Sequence, residues 1–100
     1  MPATVVDLVF DGEAPEEGST FQLEYDLDNS SWEITMKNFA GSGTKWSGST
    51  KMDGGKIMLE GENTELVGRM GRKMPPRSFA YDPSKGTVYD EEGEEYAKKA

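Results

Sequence analysis

The sequence predicts an all-β domain: a small antiparallel meander closing into a barrel, with little or no helix. Three observations predict it. Apolar and polar residues alternate with period two from Phe21 through Leu59, the signature of half-buried strands. Twelve glycines and five prolines break every interior window long enough for a stable helix. The alternating runs are joined by short Gly-, Asn- and Ser-rich segments, as hairpins require.

Thr4 to Phe10 is rich in β-branched residues and reads as the first strand, followed by an acidic Gly/Pro loop over Asp11 to Gly18. From Thr20 to Asp28, Phe21, Leu23, Tyr25 and Leu27 share one face, and Gln22, Glu24, Asp26 and Asp28 the other. A polar turn at Asp28-Asn29-Ser30-Ser31 leads to a strand in which Trp32, Ile34 and Met36 alternate with Glu33, Thr35 and Lys37. Ala40-Gly41-Ser42-Gly43 turns the chain into Thr44 to Met52, with Trp46, Gly48, Thr50 and Met52 on one face. Asp53-Gly54-Gly55 is a tight-turn signal, because glycine takes φ > 0 without steric cost. Lys56 to Glu60 forms the next strand, Gly61-Glu62-Asn63-Thr64 a turn, and Glu65 to Met70 a short return strand. Gly71 to Pro76 is extended by its prolines, and Phe79 to Tyr89 is a last hairpin turning at Asp82 to Gly86. These elements make one β-domain over residues 1–89, with 90–100 an acidic tail or a short helix over Glu91 to Lys99. Closure into a barrel removes sheet edges, which favours it over the competing two-sheet sandwich.

Composition excludes much chemistry. The chain has 100 residues, a net charge of −8, no histidine and no cysteine. It therefore has no Ser-His-Asp triad, imidazole base, thiolate nucleophile or zinc site built on His or Cys. Gly43 and Gly48 have P-loop spacing, but Ser49 stands where the phosphate-binding lysine belongs. Acidic clusters at Asp11–Glu17, Asp26–Asp28 and Asp90–Glu95 fit no EF-hand pattern and read as solvated faces. The expectation is a non-enzymatic protein with neither metal nor cofactor. Its negative charge disfavours nucleic acid. No basic n-region opens the chain and no apolar run approaches the ~20 residues of a membrane span, so a soluble location, cytoplasmic or within a virion, is expected.

Charge is unevenly spread. The first fifty residues carry nine acids and two lysines; the last fifty carry ten acids and nine bases. The strip from Arg69 to Arg77 holds four cations and no acid. Arginine and methionine are both favoured at interfaces. Arg69, Arg72, Lys73, Met74 and Arg77 are therefore the expected partner contacts, with Phe79 and Tyr81 as anchors. The competing role for these cations is to neutralise the chain's own acids, among them the Asp90–Glu95 run. The functional expectation is an acidic structural or interaction module that docks onto a larger protein assembly, of the capsid-decorating or accessory-subunit type, with self-association possible. The alternative is a small-molecule-binding barrel whose aromatic interior presents Tyr25, Trp32, Met36 and Trp46.

Overall fold

A computed structural model describes residues 3–10, 17–68 and 74–100. Every regular element in it is a strand: β1 (Thr4–Val9), β2 (Thr20–Asp26), β3 (Ser31–Lys37), β4 (Gly43–Asp53), β5 (Lys56–Val67), β6 (Phe79–Asp82), β7 (Thr87–Tyr89) and β8 (Glu95–Lys99). Each pairs antiparallel with the next, and β8 returns to β1 through Leu8↔Lys99 and Val9↔Lys98, closing the barrel. No helix of the described residues is long and apolar enough to cross a membrane.

The alternation read from the sequence becomes a layered interior. Cross-strand register stacks Tyr25, Trp32 and Gly48 in one layer, Leu23, Ile34 and Trp46 in the next, and Phe21, Met36 and Thr44 in a third. From the other side, Ile57, Leu59, Phe79, Tyr81, Val88 and Ala97 complete the core. Leu23, Ile34, Leu59 and Val88 are wholly buried. Truncating one of them leaves a void that the encircling strands close only partly. Leu23→Ala should therefore cost about 3 kcal/mol in urea unfolding with an unchanged m-value.

Two elements differ from the sequence reading. The Gly61–Thr64 stretch is not a turn: β5 runs unbroken from Lys56 to Val67, and the ladder with β4 shifts register at Ser47/Gly48. Such a bulge uses one extra residue, Glu62, and a local Gly-Glu-Asn-Thr sequence looks the same whether the chain reverses or only kinks. The bulge brings β4 and β5 together so closely that a Cβ on Gly48 would lie 1.8 Å from the Glu60 carbonyl oxygen. That oxygen accepts the Trp32 indole N–H at 2.9 Å.

The second difference is at the C-terminus, where Glu91–Lys99 is neither tail nor helix. Asp90 Oδ1 accepts the backbone N–H groups of Glu92 and Glu94, and Asp90 N–H donates to the Glu94 carbonyl, which turns the chain into β8. Ala97 then sits in the core at 0 % exposure. One small apolar residue among charged neighbours gives almost no periodic signal, yet its position is what closes the barrel.

Candidate functional site

Residues two apart on an extended segment share a face, so Arg77, Phe79 and Tyr81 all point the same way. Phe79 and Tyr81 are core residues, 2 % and 3 % exposed, and Arg77 follows them toward the interior. Its guanidinium carbon lies 5.8 Å from the Trp46 ring centroid, 5.0 Å from Phe79 and 4.9 Å from Tyr96. Tyr96, half-buried on β8, also meets Phe10 at 5.6 Å and Phe79 at 5.1 Å between ring centroids. One end of the barrel is thus plugged by aromatic rings with a cation laid over them.

A charge drawn against apolar rings needs a counter-charge. The Asp90 turn supplies it: Arg77 donates from Nη2 to Glu91 Oε1 at 2.9 Å and from Nε to the same oxygen at 3.3 Å. This pairing holds the Glu91 carboxyl below its ordinary value and lifts Arg77 further above its own. Burial, by contrast, pushes the Tyr96 hydroxyl up. Of the two roles set out for the basic strip, Arg77 takes the intramolecular one.

The described remainder of the strip divides. Met74 is exposed at 41 %, while Phe79 and Tyr81 are spent on the core and present no ring to a partner. Arg69, Arg72 and Lys73 lie outside the described residues. Sequence reasoning missed the Arg77–Glu91 plug as a unit; the parity of Arg77 with Phe79 was the available signal.

Of the four candidate ligand-binding residues, Tyr25 and Trp32 pair across β2 and β3 and line one concavity, whereas Met36 and Trp46 do not reach it. Trp32 and Trp46 are 3 % and 4 % exposed within the core, and Tyr25 and Met36 pack against it from different layers. The interior positions a hollow barrel would give to a ligand are filled by side chains.

Polar chemistry gathers on the outside. Outward residues of β2 to β5 form a ladder Glu24↔Glu33↔Ser47↔Asn63. A hydrogen bond between the Glu24 and Glu33 carboxyls raises the Glu24 pKa, with burial and the Glu33 charge adding to it. Lys45 pairs with Glu33 at 3.6 Å and Glu65 at 4.0 Å. A solvent-open concavity of about 410 Å³ lies over this ladder, lined by Glu24, Asp26, Glu33, Glu62 and Asn63 among others. A second, of about 490 Å³, runs between Glu62-Asn63-Thr64 of β5 and Met74-Pro75-Pro76. Among the described residues no group of three or more acidic side chains is placed to hold a metal ion.

These carboxyls set the pH response. Asp26 is held low by Asn29, Asp82 by Ser84 and Glu91 by Arg77. A depressed folded-state pKa contributes stability above the unfolded value and loses it as pH falls through the lower, folded one. Glu24 has the opposite sign: its contribution is present at low pH and is lost as pH rises through its raised value. Among the described residues three carboxyls are depressed and one is raised, so the unfolding midpoint should fall as pH drops below about 5. Glu91→Gln should shrink that fall, and Glu24→Gln should steepen it, in melts at fixed ionic strength.

No family model, no curated protein and no solved structure matches this chain.

Proposed function

We propose that this chain is a non-enzymatic interaction module, an acidic β-barrel that attaches to a larger protein assembly as a decorating or accessory subunit, in the cytoplasm or on a virion. One observation carries the reading. Trp46 is taken up by the core and Tyr25 and Trp32 reach only the wall of an open, carboxylate-lined concavity, while Phe39, Leu66 and Met74 stay exposed at 75 %, 49 % and 41 %. All three belong to the end of the barrel where β5 finishes. Val67 pairs with Gly43 there, and Gly68 abuts Ser42 in the turn that carries Phe39. Arg69, Arg72 and Lys73 come directly after Gly68 in the sequence and lie outside the described residues. Exposed apolar side chains suit a protein interface, and the cations that follow Gly68 in the sequence supply the complementary charge that guides an encounter. Neither a cofactor nor nucleic acid enters this mechanism.

Native mass spectrometry of material from the source tests it. The chain should appear in a complex, and replacing Arg69, Arg72 and Lys73 with serine should release it. A lone monomer, or a complex indifferent to the triple replacement, contradicts the proposal; the lone monomer moves ligand binding ahead.

A further inference from the structure

β5 is longer than its neighbour needs. β6 pairs with it only at Ile57, Met58 and Leu59, whereas β5 continues to Val67 along β4. Past Leu59, Gly61 N–H donates to the Ser78 hydroxyl at 3.0 Å, and the described chain opposite Glu62 to Thr64 forms no ladder with it. That opposing chain is Met74-Pro75-Pro76, in which two of three residues have no N–H to offer. An uncapped strand edge is a template for another strand, since alternate residues leave their N–H and C=O groups facing outward.

The surroundings select the occupant. The slot beside the edge and the concavity over the β2–β5 ladder share Glu62 and Asn63, so they adjoin at β5. Four carboxylates line the two, from Glu24, Asp26, Glu33 and Glu62, and among the described residues no lysine or arginine does. Lys45 answers Glu33 at the border of the concavity. We infer that the free edge of β5 at Glu62–Thr64 accepts an extended, lysine- or arginine-bearing segment of a partner protein as an added strand. Backbone hydrogen bonds supply the pairing, and alternate cationic side chains reach the carboxylates. This rests on the docking reading and gives it a second surface of opposite charge to the basic strip.

The probe is a fluorescein-labelled synthetic peptide of about eight residues alternating lysine and valine, titrated into the purified chain and read by anisotropy. Saturable binding is expected, weakened about tenfold by Glu62→Lys in a variant whose circular dichroism is unchanged. N-methylation of alternate peptide residues keeps the charge but removes the donors, and should also weaken binding about tenfold or more. The inference is overturned if the peptide does not bind, if the N-methylated form binds as well, or if glutamate in place of lysine is tolerated. Sedimentation showing a dimer whose β5 edge amides are already protected also overturns it, by assigning the edge to a second copy. Assembly in the native spectrum without peptide binding removes this inference alone. Peptide binding by a chain found only as a monomer removes the basic-strip reading and leaves the β5 edge site standing.

Discussion

Arg77→Ala is expected to lower the unfolding free energy by about 3 kcal/mol, a large effect for a residue at the end of a barrel. A guanidinium over the rings of Trp46, Phe79 and Tyr96 is worth about 1–2 kcal/mol where water is partly excluded. The pair with Glu91 adds less than about 1 kcal/mol, because the Glu91 side chain is 44 % exposed and screened. The rest comes from the stem of the arginine, whose removal uncovers ring faces. The components predict an order: Glu91→Gln costs least, Arg77→Lys is intermediate because an ammonium neither stacks nor forks, and Arg77→Ala costs most. Urea unfolding checks this. An Arg77→Ala protein within about 0.5 kcal/mol of the parent would mean that the cation merely rests on the surface.

Gly48→Ala is expected to cost at least as much, by a different mechanism. The added methyl carbon would meet the Glu60 carbonyl oxygen at 1.8 Å and the Glu62 nitrogen at 3.0 Å. Both are backbone atoms and cannot rotate away, so β4 and β5 must part at the bulge. That separation also strains the hydrogen bond from the Trp32 indole to Glu60. Overpacking of this kind costs about 1–3 kcal/mol, and a buried N–H left unpaired a further ~1–3 kcal/mol. Gly54→Ala is the control. Gly54 has a φ of +56° but nothing within 4 Å of a new Cβ, so alanine there meets only backbone strain, about 1 kcal/mol. Equal losses at the two glycines would show that β4 and β5 are not in close contact at the bulge.

Much of this architecture is legible in the residue order. The Phe21–Tyr25 and Trp32–Met36 alternations place the central hairpin correctly, because each strand is apolar on one face and polar on the other, whereas Leu27, expected on the same face, is exposed in the turn. Asp53-Gly54-Gly55 and Asp82–Gly86 mark real turns, since their glycines take the positive φ that the reversals require. What escaped the sequence depends on distant partners. At the bulge the Arg77 backbone packs against Gly61 and the Ser78 hydroxyl accepts its N–H, contacts no local reading supplies. β8 owes its existence to the edges of β1 and β7 rather than to its own Glu-Tyr-Ala-Lys-Lys composition. Arg77 illustrates the same limit for function. Its sequence neighbours Arg72 and Lys73 make it look like part of a basic docking strip, while Glu91, Trp46 and Tyr96, which take it up together with Phe79, lie elsewhere in the chain.

The central claim is that β8 closes the barrel and seals its interior, leaving only the outer surface for work. Amide hydrogen exchange along β8 tests it most directly, because Lys99 N–H donates to the Gly86 carbonyl and Ala100 N–H to that of Asp7. Protection of both amides, close to that of the Ile34 and Leu59 strands, is the predicted result. Exchange of Tyr96 to Ala100 at the rate of an unstructured peptide would contradict closure, and with it the assignment of Arg77, Glu91 and the aromatic plug.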